Sequence, residues 1–279
     1  MLKLDLSVSE STGSKNQSVQ VWSKQSVDQL SDAIAEEVPV ALVYNDVSHA
    51  VMMITPTELE AFALGFSLSE GIVKDLNEIY DIQVTPGTDG IEIGCTISNQ
   101  RFAELKERRR SLTGRTGCGI CGSESLQQVR LAATPVTNHF EVNHDAINGA
   151  VAQLGENQPL QKLTGAVHGA AWCSREGSIL ELCEDVGRHN ALDKLIGVMA
   201  QKNMLNPDFL NAGFILVSSR ASYEMVQKTA MVNGSLLVAV SAATTMAIEL
   251  AEQLGISLIG FARKNRHVTY VDASERKAE

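Results

Sequence analysis

Residues 214–261 read FILVSSRASYEMVQKTAMVNGSLLVAVSAATTMAIELAEQLGISLIGF, and their rhythm decides the fold class. Phe214 to Ser218, Leu236 to Val240 and Ile256 to Phe261 are short apolar runs of strand length. Between them, Tyr223 to Val232 and Thr244 to Leu254 have helical period and length. Strands and helices alternating at this spacing join by right-handed crossovers into a parallel sheet covered by helices. The class expected is therefore α/β.

Sheets of this kind take ligands in the crevice at the carboxyl ends of their strands. The residues that follow the three strands are Ser218-Ser219-Arg220-Ala221-Ser222, Ser241-Ala242-Ala243-Thr244-Thr245 and Arg263-Lys264-Asn265-Arg266. Helix N-termini supply N–H donors and a positive dipole end there, and Arg220, Arg263 and Arg266 add charge-assisted donors, so a phosphate or nucleotide suits this rim. Helix capping by Ser and Thr beside solvated arginines is the competing reading.

Working toward the N-terminus, a further polar cluster precedes these strands. Thr164 to Trp172 is rich in small residues around His168, and Glu184 to Lys194 gathers Glu184, Asp185, Arg188 and His189 at the start of a helix. Either histidine can exchange a proton near neutral pH, or serve as an ordinary structural residue. Asp145 to Leu154 is an expected helix, followed by a break over Gly155 to Pro159, and the stretch from Leu131 to Asn143 is expected to hold a short strand and turns.

The first half adds antiparallel hairpins. Val38 to Val43 and His49 to Ile54 flank the turn pair Asn45-Asp46, and Ile79 to Val84 and Ile91 to Ile97 flank Pro86 to Gly90. Thr55-Pro56-Thr57-Glu58 reads as a helix start, and Asn99 to Arg110 as a charged amphipathic helix. The organisation expected is a flexible or early-strand start over 1–36, an α+β part over 37–111, a mobile loop over 112–130 and an α/β nucleotide-binding part over 131–279. No internal repeat or low-complexity block is present.

That loop holds the most reactive sequence in the chain, Arg-Thr-Gly-Cys-Gly-Ile-Cys-Gly over residues 115–122. Gly117, Gly119 and Gly122 loosen the backbone around Cys118 and Cys121. Lys106, Arg108, Arg109, Arg110 and Arg115 bring positive charge, which favours the nucleophilic thiolate. A structural zinc site normally needs four ligands, and here one pair stands alone. Cys95, Cys173 and Cys183 are single residues among apolar neighbours and read as buried small hydrophobes. Zinc nucleobase deaminases place an HxE ahead of a PCxxC, whereas His139-Phe140-Glu141 follows this pair and no proline precedes Cys118. A thiol–disulfide oxidoreductase normally opens a helix of a βαβ unit with its CxxC. Redox or sulfur chemistry, metal binding and a structural accident all remain open on the residues alone.

Composition sets outer bounds. The chain has 279 residues, 44% of them apolar, with a formal net charge of −10. That balance argues against a nucleic-acid binder, whose affinity rests on neutralising phosphates. No apolar run approaches the ~20 residues of a membrane helix. Five cysteines, an odd number, with a polar start lacking a signal-peptide pattern, point to the cytoplasm.

Taken together, RTGCGICG, TGAVHGAAW, EDVGRHNALDKLIG, SSRASYEMVQKTAMVNG and SAATTMAIELAEQLG resemble the FdhD family of sulfur carriers, in the same order from about Glu37 to near Tyr270. The resemblance implies a cytidine-deaminase-like layered sheet without the zinc signature, and a homodimer. It implies a sulfurtransferase, a persulfide carrier loaded by a cysteine desulfurase, which sulfurates the molybdenum bis(guanine dinucleotide) cofactor of formate dehydrogenase. On this basis Cys118 matches the persulfide-bearing cysteine and Cys121 its companion. The guanine-nucleotide site, for which free guanine nucleotide is a mimic, falls on Phe261, Ala262, Arg263, Lys264, Asn265 and Arg266. Ser219, Arg220 and Ser222 join it from the rim, with His168 and His189 beside them. No tightly bound zinc is expected. A noncatalytic chaperone for cofactor and apo-dehydrogenase is the alternative.

Overall fold

The computed structural model describes residues 11–113, 133–138, 140–141 and 143–274. Cys118, Cys121, Arg115 and His139 lie outside the described residues, as do the side chains of Arg109 and Arg110. The strands are β1 Ser14–Trp22, β2 Val27–Ala35, β3 Val38–Tyr44, β4 Val47–Ile54, β5 Ile79–Pro86, β6 Ile91–Ile97, β7 His168–Ser174, β8 Ile179–Asp185, β9 Gly213–Val217, β10 Leu236–Ala239, β11 Ser257–Arg263 and β12 Arg266–Val271. The helices are α1 Leu59–Ser69, α2 Asn99–Thr113, α3 His144–Leu154, α4 Pro159–Thr164, α5 Arg188–Gln201, α6 Pro207–Leu210, α7 Tyr223–Met231 and α8 Thr245–Leu254.

The C-terminal reading holds. β9, β10 and β11 run parallel in a six-stranded sheet of order β12-β11-β10-β9-β7-β8, with α7 and α8 as crossovers. The sheet is mixed, because β7 is antiparallel to β9 and β8, and β12 is antiparallel to β11. β12 was not expected; Arg263 and Arg266 pair across the two-residue turn Lys264-Asn265, with Asn265 at φ 60, a value asparagine tolerates. Alternate residues of this sheet feed two cores. Ala170, Trp172, Ile215, Val217 and Leu237 face one, and Ala171, Cys173, Phe214, Leu216 and Val238 face the other under α3.

Both upstream hairpins form and combine into a four-stranded sheet of order β4-β3-β6-β5, in which β3 and β6 are parallel. In β3, Val38, Val40, Leu42 and Tyr44 point inward in strict alternation. The Asn45-Asp46 turn has φ 44 and 64, as a tight hairpin turn demands. α1 and α5 fill the space between the two sheets. They cross so closely that a Cβ at Gly65 would overlap the Asp193 carbonyl oxygen, and one at Gly197 that of Ala61.

Two expectations need correction. α1 starts at Leu59 rather than at Thr55-Pro56, after Glu58 at φ 52. Thr55 is occupied elsewhere: its N–H donates to Asp185, its hydroxyl accepts from Val186 N–H and its carbonyl accepts from Lys194. The break before Pro159 is followed by the short helix α4, and among the described residues between 131 and 143 there is no strand. The early strand expected within residues 1–36 is present, as two: β1 pairs with β2 in an antiparallel arm.

Candidate functional site

The rim expected at the carboxyl ends of β9, β10 and β11 exists and is larger than the three loops. Because β7 is antiparallel to β9, its first residues start at that rim, and because β8 is antiparallel to β7, its last residues end there; His168 lies opposite Asp185. His168, Ser218-Ser219-Arg220, Ser241 to Thr244 and the Gly187-Arg188-His189 corner therefore share one edge.

Backbone bonds knit this edge. Gly169 N–H donates to Ser218 Oγ at 2.9 Å, and Ser218 N–H donates to the Gly169 carbonyl at 2.9 Å. Ser241 N–H reaches the Ser219 carbonyl at 3.3 Å, Ala221 N–H that of Ala242 at 3.1 Å, and Thr244 N–H that of Ala221 at 3.1 Å. Phe261 N–H donates to the Ser241 carbonyl at 2.9 Å, which ties β11 to the same edge. Phe261 itself sits at φ 48, a left-handed value that is rare for a bulky residue, inside a stretch where the β11–β12 register slips. Strain of this kind gathers where surrounding structure holds a ligand-facing residue in place.

The capping alternative is right in part. Thr244 Oγ1 accepts from Ala247 N–H and caps α8. Ser222 does not cap α7; its hydroxyl donates to Glu224 Oε2 at 2.8 Å. Ser219 is buried, while Arg220 is exposed. Arg263, Lys264, Asn265 and Arg266 are exposed where β11 turns into β12, directly past the buried Ala262 at the carboxyl end of β11.

Glu184 and Asp185, gathered in the sequence with Arg188 and His189, are engaged in structural bonds. Glu184 accepts from Leu160 and Gln161 N–H, both at 2.8 Å, and so satisfies the first turn of α4. Asp185 is fully buried against Lys194 at 2.8 Å and also accepts from Gly187 N–H, Thr55 N–H and Asn190 Nδ2.

Arg188, His168 and His189 are the other titratable groups at the corner. Nε of Arg188 and Nε2 of His189 are buried with no hydrogen-bond partner among the described residues. Glu224 Oε2 stands 3.7 Å from His189 Nε2, too far for a hydrogen bond. Burial, and then the Arg188 guanidinium, hold both imidazoles below their usual pKa, so they are neutral at pH 7. Buried N–H groups lacking an acceptor beside one cation are what an incoming anion satisfies. Arg188 was visible in the sequence as part of a charge cluster, but Glu224 carried no signal there.

Among the other cysteines, burial pushes the Cys95 thiol up to about 12 and raises those of Cys173 and Cys183 as well. None supplies a thiolate near neutral pH. The described end of α2, which leads toward Cys118, is anchored by Arg108 donating to the carbonyls of Glu70 and Gly71. The Glu70 carboxylate pairs with Lys228 of α7, which also bonds Asp193.

Fold and edge define an α/β protein with a rim of small residues beside Arg188 and Arg220. A family model described as the FdhD/NarQ family matches residues 35–277. The chain is 51% identical to the sulfur carrier protein FdhD of Cupriavidus necator, over 89% of this chain and 85% of that one. It is 50% identical to the protein of the same description from Acinetobacter baylyi, over 86% of each. The chain belongs to the FdhD/NarQ family. A crystal structure of a candidate formate dehydrogenase accessory protein from Desulfotalea psychrophila shares the fold, with a TM-score of 0.69 and 22% identity over 93% of this chain and 97% of that one.

Proposed function

We propose that this protein is a sulfur carrier for formate dehydrogenase, a sulfurtransferase that takes persulfide sulfur from a cysteine desulfurase and passes it to the molybdenum bis(guanine dinucleotide) cofactor. The observation that carries the reading is half-identity along most of the chain to relatives described as sulfur carrier proteins, combined with the Cys118/Cys121 pair. The cofactor enters as substrate. Its guanine-nucleotide phosphates suit the rim because Arg188 offers a buried Nε–H without an acceptor, with the unpartnered His189 Nε2, near Ser219, Arg220 and Ser222.

The chemistry balances in two steps. Cys118 thiolate attacks the outer sulfur of the desulfurase persulfide; that S–S bond breaks, the desulfurase thiolate leaves and Cys118 becomes the persulfide. Cys121 thiolate then attacks the inner sulfur, Cys118 Sγ. The terminal sulfur leaves as sulfide toward the bound cofactor, a Cys118–Cys121 disulfide forms, and a cellular dithiol reductant restores both thiols. His168 and His189, neutral at pH 7, hold and release protons at the nucleotide's phosphate oxygens. In this reading the six-stranded sheet is the cytidine-deaminase-like layer, turned from zinc chemistry to binding, and the protein works in the cytoplasm. No helix among the described residues is long and apolar enough to cross a membrane.

The test is activation of formate dehydrogenase in cells lacking their own carrier. Cys118→Ala abolishes activation while the purified variant still binds GDP, and Cys121→Ala slows it. Full activation by Cys118→Ala would instead favour a noncatalytic chaperone for cofactor and apo-dehydrogenase.

A further inference from the structure

We propose that Arg108 is a positioning residue for sulfur delivery: it fixes the end of α2 against the Gly187-Arg188-His189 corner, and so fixes where the chain sets out toward Cys118. The inference deepens the sulfur-carrier reading and rests on it. Arg108 stands ten residues before Cys118 and is the last residue of α2 whose side chain is described. Its guanidinium grips the end of α1 as a fork: Nη1 donates to the Glu70 carbonyl at 3.1 Å and Nη2 to the Gly71 carbonyl at 3.2 Å. These carbonyls lie at the negative end of the α1 dipole, where a cation is favoured. A planar two-pronged donor fits two adjacent carbonyls, which a lysine ammonium on a flexible stem does not reproduce.

The seat that Arg108 grips is itself fixed. Gly71 holds φ 61, and a Cβ there would come within 2.9 Å of Met231 Cε on α7. The Glu70 carboxylate pairs with Lys228 of α7 at 2.7 Å, and that buried ammonium donates to both carboxylate oxygens of Asp193 on α5 at 3.0 Å. Ser69 Oγ, at the end of α1, donates to Asp193 Oδ1 at 2.6 Å. The other ties of α2 lie nearer its start, where Arg101 pairs with Glu78 at 2.7 Å and Leu105 is buried. Arg108 is exposed, so truncating it leaves neither a cavity nor a stranded buried charge.

Two of the three helices joined here also build the corner. α5 begins with Arg188 and His189, and α7 carries Glu224, 3.7 Å from His189 Nε2. Lys228 follows Glu224 by four residues on the same helix face, about 6 Å along the axis. Through Glu70 and Lys228 the end of α2 is therefore held in register with the rim. The two halves of the carrier cycle use that register differently. A desulfurase is a separate molecule, and loading requires only that it reach Cys118. Delivery requires the persulfide to meet a cofactor held on this chain's own rim, and a misplacement of about 1 Å is enough to cost ~100-fold in such a step.

The test separates the two halves. Full-length protein is preloaded by a cysteine desulfurase and free cysteine, then mixed with molybdenum bis(guanine dinucleotide) cofactor and apo-formate dehydrogenase, and loss of the extra sulfur is followed by intact mass beside the gain of formate dehydrogenase activity. Arg108→Ala loads to the wild-type extent and keeps the wild-type melting temperature, yet its maximal delivery rate falls ~10-fold or more at an unchanged half-saturating cofactor concentration. Arg108→Lys remains as slow, because the ammonium cannot bridge both carbonyls. Wild-type delivery by Arg108→Ala, full recovery in Arg108→Lys, or loading that falls in step with delivery would each overturn the proposal and leave the carrier reading standing. A wild type that takes up no sulfur would overturn both.

Discussion

Lys194 Nζ lies 2.8 Å from Asp185 Oδ2 with both side chains fully buried, and the same ammonium donates to the Thr55 carbonyl and Thr57 Oγ1. The pair pins the end of β8, and hence the Gly187-Arg188-His189 corner, to the chain entering α1. Removing one partner strands a buried charge, so Lys194→Met is expected to cost about 3–5 kcal/mol of stability, read as a lower urea midpoint. A loss under 1 kcal/mol would mean that the pair is dispensable to the corner.

The α1–α5 crossing has no room for a side chain. Gly65→Ala or Gly197→Ala forces Cβ onto backbone carbonyl oxygens, with an expected loss of about 1–3 kcal/mol or more. Gly155 is the control: nothing lies within 4 Å of a Cβ there and its φ is −61. Gly155→Ala should be neutral or stabilise by about 0.4–1 kcal/mol. Urea denaturation of the three variants separates the cases.

Burial, reinforced by Arg188, depresses the pKa values of His168 and His189 in the folded protein. The unfolded chain binds these protons more readily, so the stability they contribute is present above the ordinary histidine value of about 6.5 and is lost as pH falls through it. A bound phosphate acts in the opposite sense by favouring imidazolium. GDP affinity, measured by calorimetry, should therefore rise between about pH 7.5 and about pH 6, and a His168→Gln, His189→Gln variant should flatten that rise. Affinity that falls over this range would place the phosphates elsewhere.

Buried thiols do not compete for sulfur. In native protein at neutral pH, iodoacetamide should label Cys118 and Cys121 and leave Cys95, Cys173 and Cys183 unmodified, as read by peptide mass. Fast labelling of Cys183 would contradict its burial beneath β7 and α5.

Much of this was legible in the sequence because local signals agreed with the tertiary structure. The apolar runs of β9 to β11 and the turn at Asn45-Asp46 formed as read. The misses share a cause, which is that long-range partners decided them. Thr55 had cap chemistry but spent it on Val186 and Lys194, 131 and 139 residues away. Glu184 and Asp185 looked reactive, yet they satisfy α4 and Lys194. The arm showed no hydrophobic period because neither of its faces is buried in the chain. β12 was hidden by its charged start.

Intact mass after incubation with a cysteine desulfurase and free cysteine tests the sulfur-carrier reading most directly. The account predicts that the wild type gains one sulfur atom, that a dithiol removes it, that Cys118→Ala gains none and that Cys121→Ala keeps its sulfur longer. A wild type that stays at its starting mass while the desulfurase turns over, or a Cys118→Ala variant that loads equally well, would contradict it.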